Sequence, residues 1–142
     1  MASDLLTRQK QANETEPVGI AQTLSLLGMN FIAQGKFAEA ENLLRESLTI
    51  WDTVKKPEWQ RFRVMNLLGA AIGGQSRPLE AEPLLVDGYD GMLADKQLIP
   101  VPWKRHFVAA GEHVLHFYES QVDSEKADIW RNKLAAANSR NK

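Results

Sequence analysis

The sequence predicts an all-α protein, a right-handed α-solenoid of about three helical hairpins with six main helices. Three observations predict it. Apolar residues recur at spacings of three and four through most of the chain. The stretch LLGMNFIAQGKFAEAENLL, from Leu26 to Leu44, returns in altered form as LLGAAIGGQSRPLEAEPLL, from Leu67 to Leu85. Prolines fall just ahead of the apolar runs, where a fixed φ and a missing N–H suit the first turn of a helix.

The repeat keeps its register without a gap. Leu27-Gly28 matches Leu68-Gly69, Gln34 matches Gln75, Glu39-Ala40-Glu41 matches Glu80-Ala81-Glu82, and Leu43-Leu44 matches Leu84-Leu85, each pair 41 positions apart. In the first unit Leu24, Leu27, Phe31 and Ile32 form one helical stripe that ends at Gly35, and Ala40, Leu43, Leu44, Leu48 and Trp51 form a second. Two antiparallel helices follow, with Gly28 and Ala40 small enough to let the backbones approach. The second unit carries Leu68, Gly69, Ile72, Ala81 and Leu85 at the matching places. Pro83 lies a turn inside its second helix, where it removes a hydrogen bond to Leu79 and predicts a local irregularity. A third, divergent unit sets Val114, Leu115 and Tyr118 on one stripe and Ala127, Trp130 and Leu134 on the other, with Asp123 or Ser124 placed to cap the last helix. Leu115 is read there as standing where the earlier units have glycine. Terminal repeats are commonly atypical because one face meets water.

The expected units run approximately over 17–56, 57–99 and 100–138 of a single domain spanning 17–142. Residues 1–16 are read as a polar segment or the remnant of a preceding repeat helix, with Leu5 and Leu6 its apolar anchors. If a repeat is missing there, the first helix exposes an apolar edge that self-association would hide, so homo-oligomers enter as an expectation.

Composition bounds the function. A chain of 142 residues, 44% hydrophobic and 25% charged, has the make-up of one globular domain. A formal net charge of -1 offers no global attraction for nucleic acid or an anionic membrane. The absence of cysteine removes disulfides, thiolate metal sites and cysteine nucleophiles, and fits the cytoplasm. No stretch approaches the roughly 20 apolar residues that span a bilayer.

The pattern L-x2-L-G-x2-F from Leu24 to Phe31, with A-x3-L from Ala40 to Leu44, resembles the tetratricopeptide repeat. The 41-residue period exceeds the roughly 34 residues of the common form and is similar to the longer variety of kinesin light chains. AEAEPLL and the stretch around GYDGM also resemble terminal repeats of planctomycete-type bacterial proteins in which a serine/threonine kinase domain precedes such arrays; the likeness covers roughly residues 20–135. It implies a non-catalytic scaffold that binds a protein or peptide on a concave wall made by the first helix of each pair. On that wall the residues flanking the buried stripe are Gln22, Ser25, Met29, Arg63, Asn66 and Ala70, with Glu112 and His116 on the fifth helix. The two-carboxylate clamp of chaperone-binding members needs lysine and asparagine where this chain has Ser25 and Met29, so the resemblance does not extend to binding an acidic C-terminal tail.

The chemical alternatives are weaker. His113 and His116 lie three apart near Glu112 and Glu119, with His106 the nearest further imidazole. That is not the spacing of a zincin helix, yet it leaves a small metal-dependent enzyme as one alternative and an architectural spacer as another. Gly73-Gly74 lacks the lysine and serine of a phosphate loop, and reads either as packing or as a shallow place for a partner's backbone. Trp103, Lys104, Arg105 and His106 have the residue types of a nucleic-acid patch, but two firm charges are few. No cofactor, catalytic residue or metal ligand is assigned.

Overall fold

The structure is a computed structural model and describes residues 16–139. Six α-helices account for most of these residues: α1 (Glu16–Ala33), α2 (Phe37–Val54), α3 (Glu58–Gly73), α4 (Pro78–Ala94), α5 (Lys104–Ser120) and α6 (Ser124–Ser139). Two single-turn 3₁₀ segments, Lys96–Leu98 and Val101–Trp103, join α4 to α5, and no strand occurs among the described residues. Successive helices pack in pairs, and α1, α3 and α5 adjoin along one side, which is the arrangement of an α-solenoid. The reading of residues 1–15, with Leu5 and Leu6, lies outside the described residues.

The small residues do what the repetition requires of them. A Cβ on Gly28 would stand 2.7 Å from Leu44 Cγ, and one on Gly69 would stand 2.8 Å from both Leu85 Cγ and the Leu85 backbone nitrogen. The two glycines therefore face equivalent leucines, each wholly buried and each contributing about 2 kcal/mol through burial. The close approach of α3 and α4 is reciprocal, because a Cβ on Gly88 of α4 would meet the Asn66 nitrogen and the Phe62 carbonyl of α3 at 2.7 Å.

The third hairpin departs in a regular way. Its glycine is Gly111, 42 positions after Gly69, and a Cβ there would collide with Leu134. Leu44 and Leu85 follow their glycines by 16 positions, whereas Leu134 follows by 23. The extra seven residues are about two helical turns, so the contact lies about one turn further from the tip along each arm. Counted from the hairpin tip, Leu115 does stand where Gly28 and Gly69 stand, 12 positions before Ala127 as they are before Ala40 and Ala81, and the close approach has moved one turn further from the tip, to Gly111. Ala127 and Tyr118 are buried, with Ala127 two turns nearer the hairpin's tip than Leu134. Asp123 is the residue that caps α6, accepting the Lys126 N–H at 3.1 Å.

Ala40, Leu68, Ile72, Ala81 and Leu85 are buried as expected, and Phe31 packs against the core with part of its surface. Leu27 differs: it is 44% exposed, while its counterpart Leu68 is 1% exposed. Leu68 has the preceding α2 packed over its helix, and α1 has no described helix before it. Helix α4 runs unbroken through Pro83. The residue whose carbonyl loses its helical donor is Leu79, 91% exposed in the first turn, where water supplies a donor.

Candidate functional site

Because α1, α3 and α5 form one wall, a cavity lined by both outer helices with α3 as its floor marks an inward-curving groove. Two such cavities are found among the described residues. The first, of about 240 Å³, is lined by Met29, Ile32 and Ala33 of α1, Arg63, Asn66 and Leu67 of α3, and His106, Ala109, Ala110 and His113 of α5. The second, of about 270 Å³, is lined by Ile32, Phe37, Ala70, Gly73, Gly74, Leu85, His113, His116, Phe117 and Ser120. Ile32 and His113 border both, so the two are neighbouring parts of one groove.

Asn66 organises the groove floor. Its Nδ2 donates to the carbonyls of Leu85 on α4 and Ala110 on α5, each at 3.0 Å, which ties three helices through one buried side chain. With both amide hydrogens spent, Oδ1 is the group that faces His113 Nδ1 at 2.9 Å. A carbonyl oxygen only accepts, so His113 carries its proton on Nδ1 and leaves Nε2 as an acceptor. Burial, and after it the nearby His116 and Arg63, push the His113 pKa down to about 4. His106, buried beside Arg63 and Arg105, is lowered to about 4 as well, chiefly by burial. Both imidazoles are neutral at pH 7.

Arg63 is the unusual member. It is 2% exposed, yet its guanidinium donates only to Ser25 Oγ at 3.4 Å and Met29 Sδ at 2.9 Å, and lies over the Trp103 ring at 5.9 Å. Burial, followed by repulsion from Arg105, lowers its pKa to about 10, which still leaves it charged at neutral pH. Among the described residues none of the ion pairs involves Arg63.

The residues singled out in the sequence distribute unevenly. Met29, Arg63 and Asn66 line the first cavity, and Ala70 and His116 the second. Ser25 is wholly buried, donating to the Gln22 carbonyl at 3.0 Å and receiving Arg63. Gln22 is half-buried, and Glu112 stands exposed. His113, weighed as a metal ligand, and His106, weighed both there and in a nucleic-acid patch, are groove residues; their neighbours in the fold rather than in the chain make them so. Among the described residues no group of three or more His, Cys, Asp or Glu is gathered as a metal site. Gly74 serves packing, since a Cβ there would meet the Phe37 ring at 2.5 Å. Trp103 packs against Trp59 and His106, with ring centres 5.9 and 5.2 Å apart. No described helix is long and apolar enough to cross a membrane.

Second-helix acidic residues bind one hairpin to the next. Glu41 accepts from Gln75 Nε2 and Arg77 Nη1, each at 2.8 Å, and pairs with Arg45 at 2.7 Å. Glu82, its equivalent, accepts from the Tyr118 hydroxyl at 2.7 Å and Lys126 Nζ at 3.2 Å. Arg77 also pairs with Glu80.

A family model described as tetratricopeptide repeat matches residues 19–94, which span nearly all of the first two hairpins and stop before the third. No curated protein matches the chain. No solved structure matches it.

Proposed function

The chain belongs to the tetratricopeptide-repeat family, and from that premise we propose that it is a non-catalytic interaction module that binds an extended peptide segment of a partner protein in the groove between α1, α3 and α5. The observation that carries this reading is the pair of adjoining cavities that share Ile32 and His113. Together they offer an apolar trough with polar groups at intervals, which suits an extended peptide that inserts alternate side chains. The resemblance of its second-helix segments to kinase-associated arrays supports a place within a larger signalling or regulatory protein. Ala70 and Ala109 line the groove and are only partly buried, so bulk placed at either fills it without disturbing the packing behind.

Selection of displayed random linear peptides against the wild-type chain tests the reading. Binders should emerge and should lose at least tenfold in affinity with Ala70→Arg or Ala109→Arg, while circular dichroism stays unchanged. Binders indifferent to both substitutions would place recognition elsewhere.

A further inference from the structure

Resting on the peptide reading, we propose that the first cavity is a carboxylate subsite, in which Arg63 takes a single carboxylate of the bound peptide and the surrounding apolar wall takes the aliphatic part beside it.

A buried guanidinium has five N–H donors, and a cation removed from water is costly unless paired. Arg63 is 2% exposed, donates only to a hydroxyl at 3.4 Å and a thioether sulfur at 2.9 Å, and otherwise lies over the Trp103 ring at 5.9 Å. The hydroxyl contact is long, the thioether is a weak acceptor, and neither group carries a negative charge. The side chain borders a cavity of about 240 Å³ otherwise walled by Met29, Ile32, Leu67 and Ala109. The missing acceptor thus has a place to come from, and that place is the groove.

The charge balance chooses the ligand. Asn66 has no donor left, and the imidazoles of His106 and His113 are neutral, so Arg63 is the one cation lining this cavity. A monoanion neutralises it. A phosphate dianion would leave surplus negative charge against an apolar wall, which is unfavourable where water is excluded. A planar carboxylate also matches the guanidinium fork through two parallel hydrogen bonds. His113 Nε2 supplies an acceptor nearby for a peptide N–H. The arrangement is a one-cation site on α3; it is not a two-carboxylate clamp, whose first positions here hold Ser25 and Met29. The carboxylate is supplied either by a chain terminus or by an aspartate or glutamate side chain.

Titration of the full chain at pH 7.5, followed by the Arg63 Nε–H resonance, separates these. N-acetyl-leucine represents a terminal carboxylate, the α-amide of N-acetylglutamate a side-chain carboxylate, N-acetyl-leucinamide the neutral control, and inorganic phosphate the dianion. At least one carboxylate probe should shift the Arg63 resonance and bind tenfold or more tightly than the neutral amide, and whichever does so identifies the source. Arg63→Met should abolish that preference and leave the melting temperature unchanged or raised, because it deletes an unpaired buried charge. Arg63→Lys should retain the preference in weaker form, and serves where the methionine variant does not fold.

Equal binding of the neutral amide, equal or tighter binding of phosphate, or a carboxylate preference that survives in Arg63→Met would each overturn the proposal. So would a fall in melting temperature in both variants, which would mark Arg63 as a structural group. Peptides that need the groove but bind Arg63→Met and amidated, uncharged sequences equally well would sink this subsite while leaving peptide binding intact. Failure of all linear peptides, with N-acetyl-leucine still bound at Arg63, would sink the peptide reading and leave the subsite.

Discussion

The hydroxyl of Tyr118 on α5 donates to Glu82 on α4 at 2.7 Å, and 41 positions earlier Glu41 on α2 receives Gln75 at 2.8 Å. Equivalent carboxylates thus fasten each hairpin to the next. The Tyr118 hydrogen bond, partly opposed by burial and aided by Lys126, holds the Glu82 carboxyl below its usual range. Its stabilisation is therefore present above the ordinary carboxylate pKa and lost as pH falls through the lowered folded-state value. Tyr118→Phe should cost about 1 kcal/mol at pH 7, and the cost should shrink below pH 4. Urea unfolding of the two proteins at both pH values checks this; an equal cost at each would remove Glu82 from the account.

Gly28 and Gly69 occupy equivalent places but differ in what confronts them. A Cβ on Gly28 meets only the flexible end of Leu44, whereas one on Gly69 meets the Leu85 nitrogen and, at 3.0 Å, the Ala81 carbonyl. A side chain can turn aside and a packed backbone cannot. Gly69→Ala should cost about 3 kcal/mol and Gly28→Ala about 1 kcal/mol, while Gly19→Ala, in open space on α1, should gain about 0.5 kcal/mol. Thermal unfolding of the three variants should rank them in that order.

Asn66 carries the join between the second and third hairpins. Asn66→Leu keeps the branched outline of the side chain but removes both donors to the Leu85 and Ala110 carbonyls and the acceptor for His113. The expected loss is about 3 kcal/mol, because a buried N–H on His113 is left unpaired. Hydrogen exchange should show the loosening concentrated in α5 and α6, with α1 and α2 near their wild-type protection. Uniform loosening would mean that Asn66 stabilises the domain without linking its parts.

These particulars show why the fold was legible in the sequence and the groove less so. Helical hairpins announce themselves through local spacing, and the paired glycines stand at a constant interval because each must face the same leucine. The third hairpin hid its glycine because the close contact lies one turn further from the tip, so Gly111 precedes by four residues the position, Leu115, that matches Gly69. Gly111 could have been found by following the interval from Gly69 and not the stripe from Tyr118. Arg63 was visible as a wall residue, but its lack of a carboxylate partner depends on which side chains arrive from α1 and α5. Asn66 was likewise placed on the wall by its position. That its hydrogen bonds are spent on two distant carbonyls is a fact of tertiary structure, with no trace in helical periodicity.

The last expectation concerns acid. His113 faces Asn66, His116 and Arg63, and His106 lies against Trp103 with Arg63 and Arg105 nearby. Each has a folded-state pKa lowered to about 4 from an ordinary value of 6.5. Between those values the unfolded chain binds protons that the folded chain refuses, so stability is complete above about pH 6.5 and declines as pH falls toward 4. The lowered carboxyl groups of Glu41 and Glu82 titrate below their ordinary 4.5 and leave the upper part of this window to the imidazoles. The urea midpoint should therefore drop between pH 6.5 and 5. His113→Asn, whose Nδ2 takes roughly the place of the imidazole Nδ1 toward Asn66, should flatten much of that slope while changing stability at pH 7.5 little. A wild-type midpoint that holds steady across this interval would show that the two imidazoles charge without penalty in the folded chain, and would remove the assignment of neutral rings to the groove.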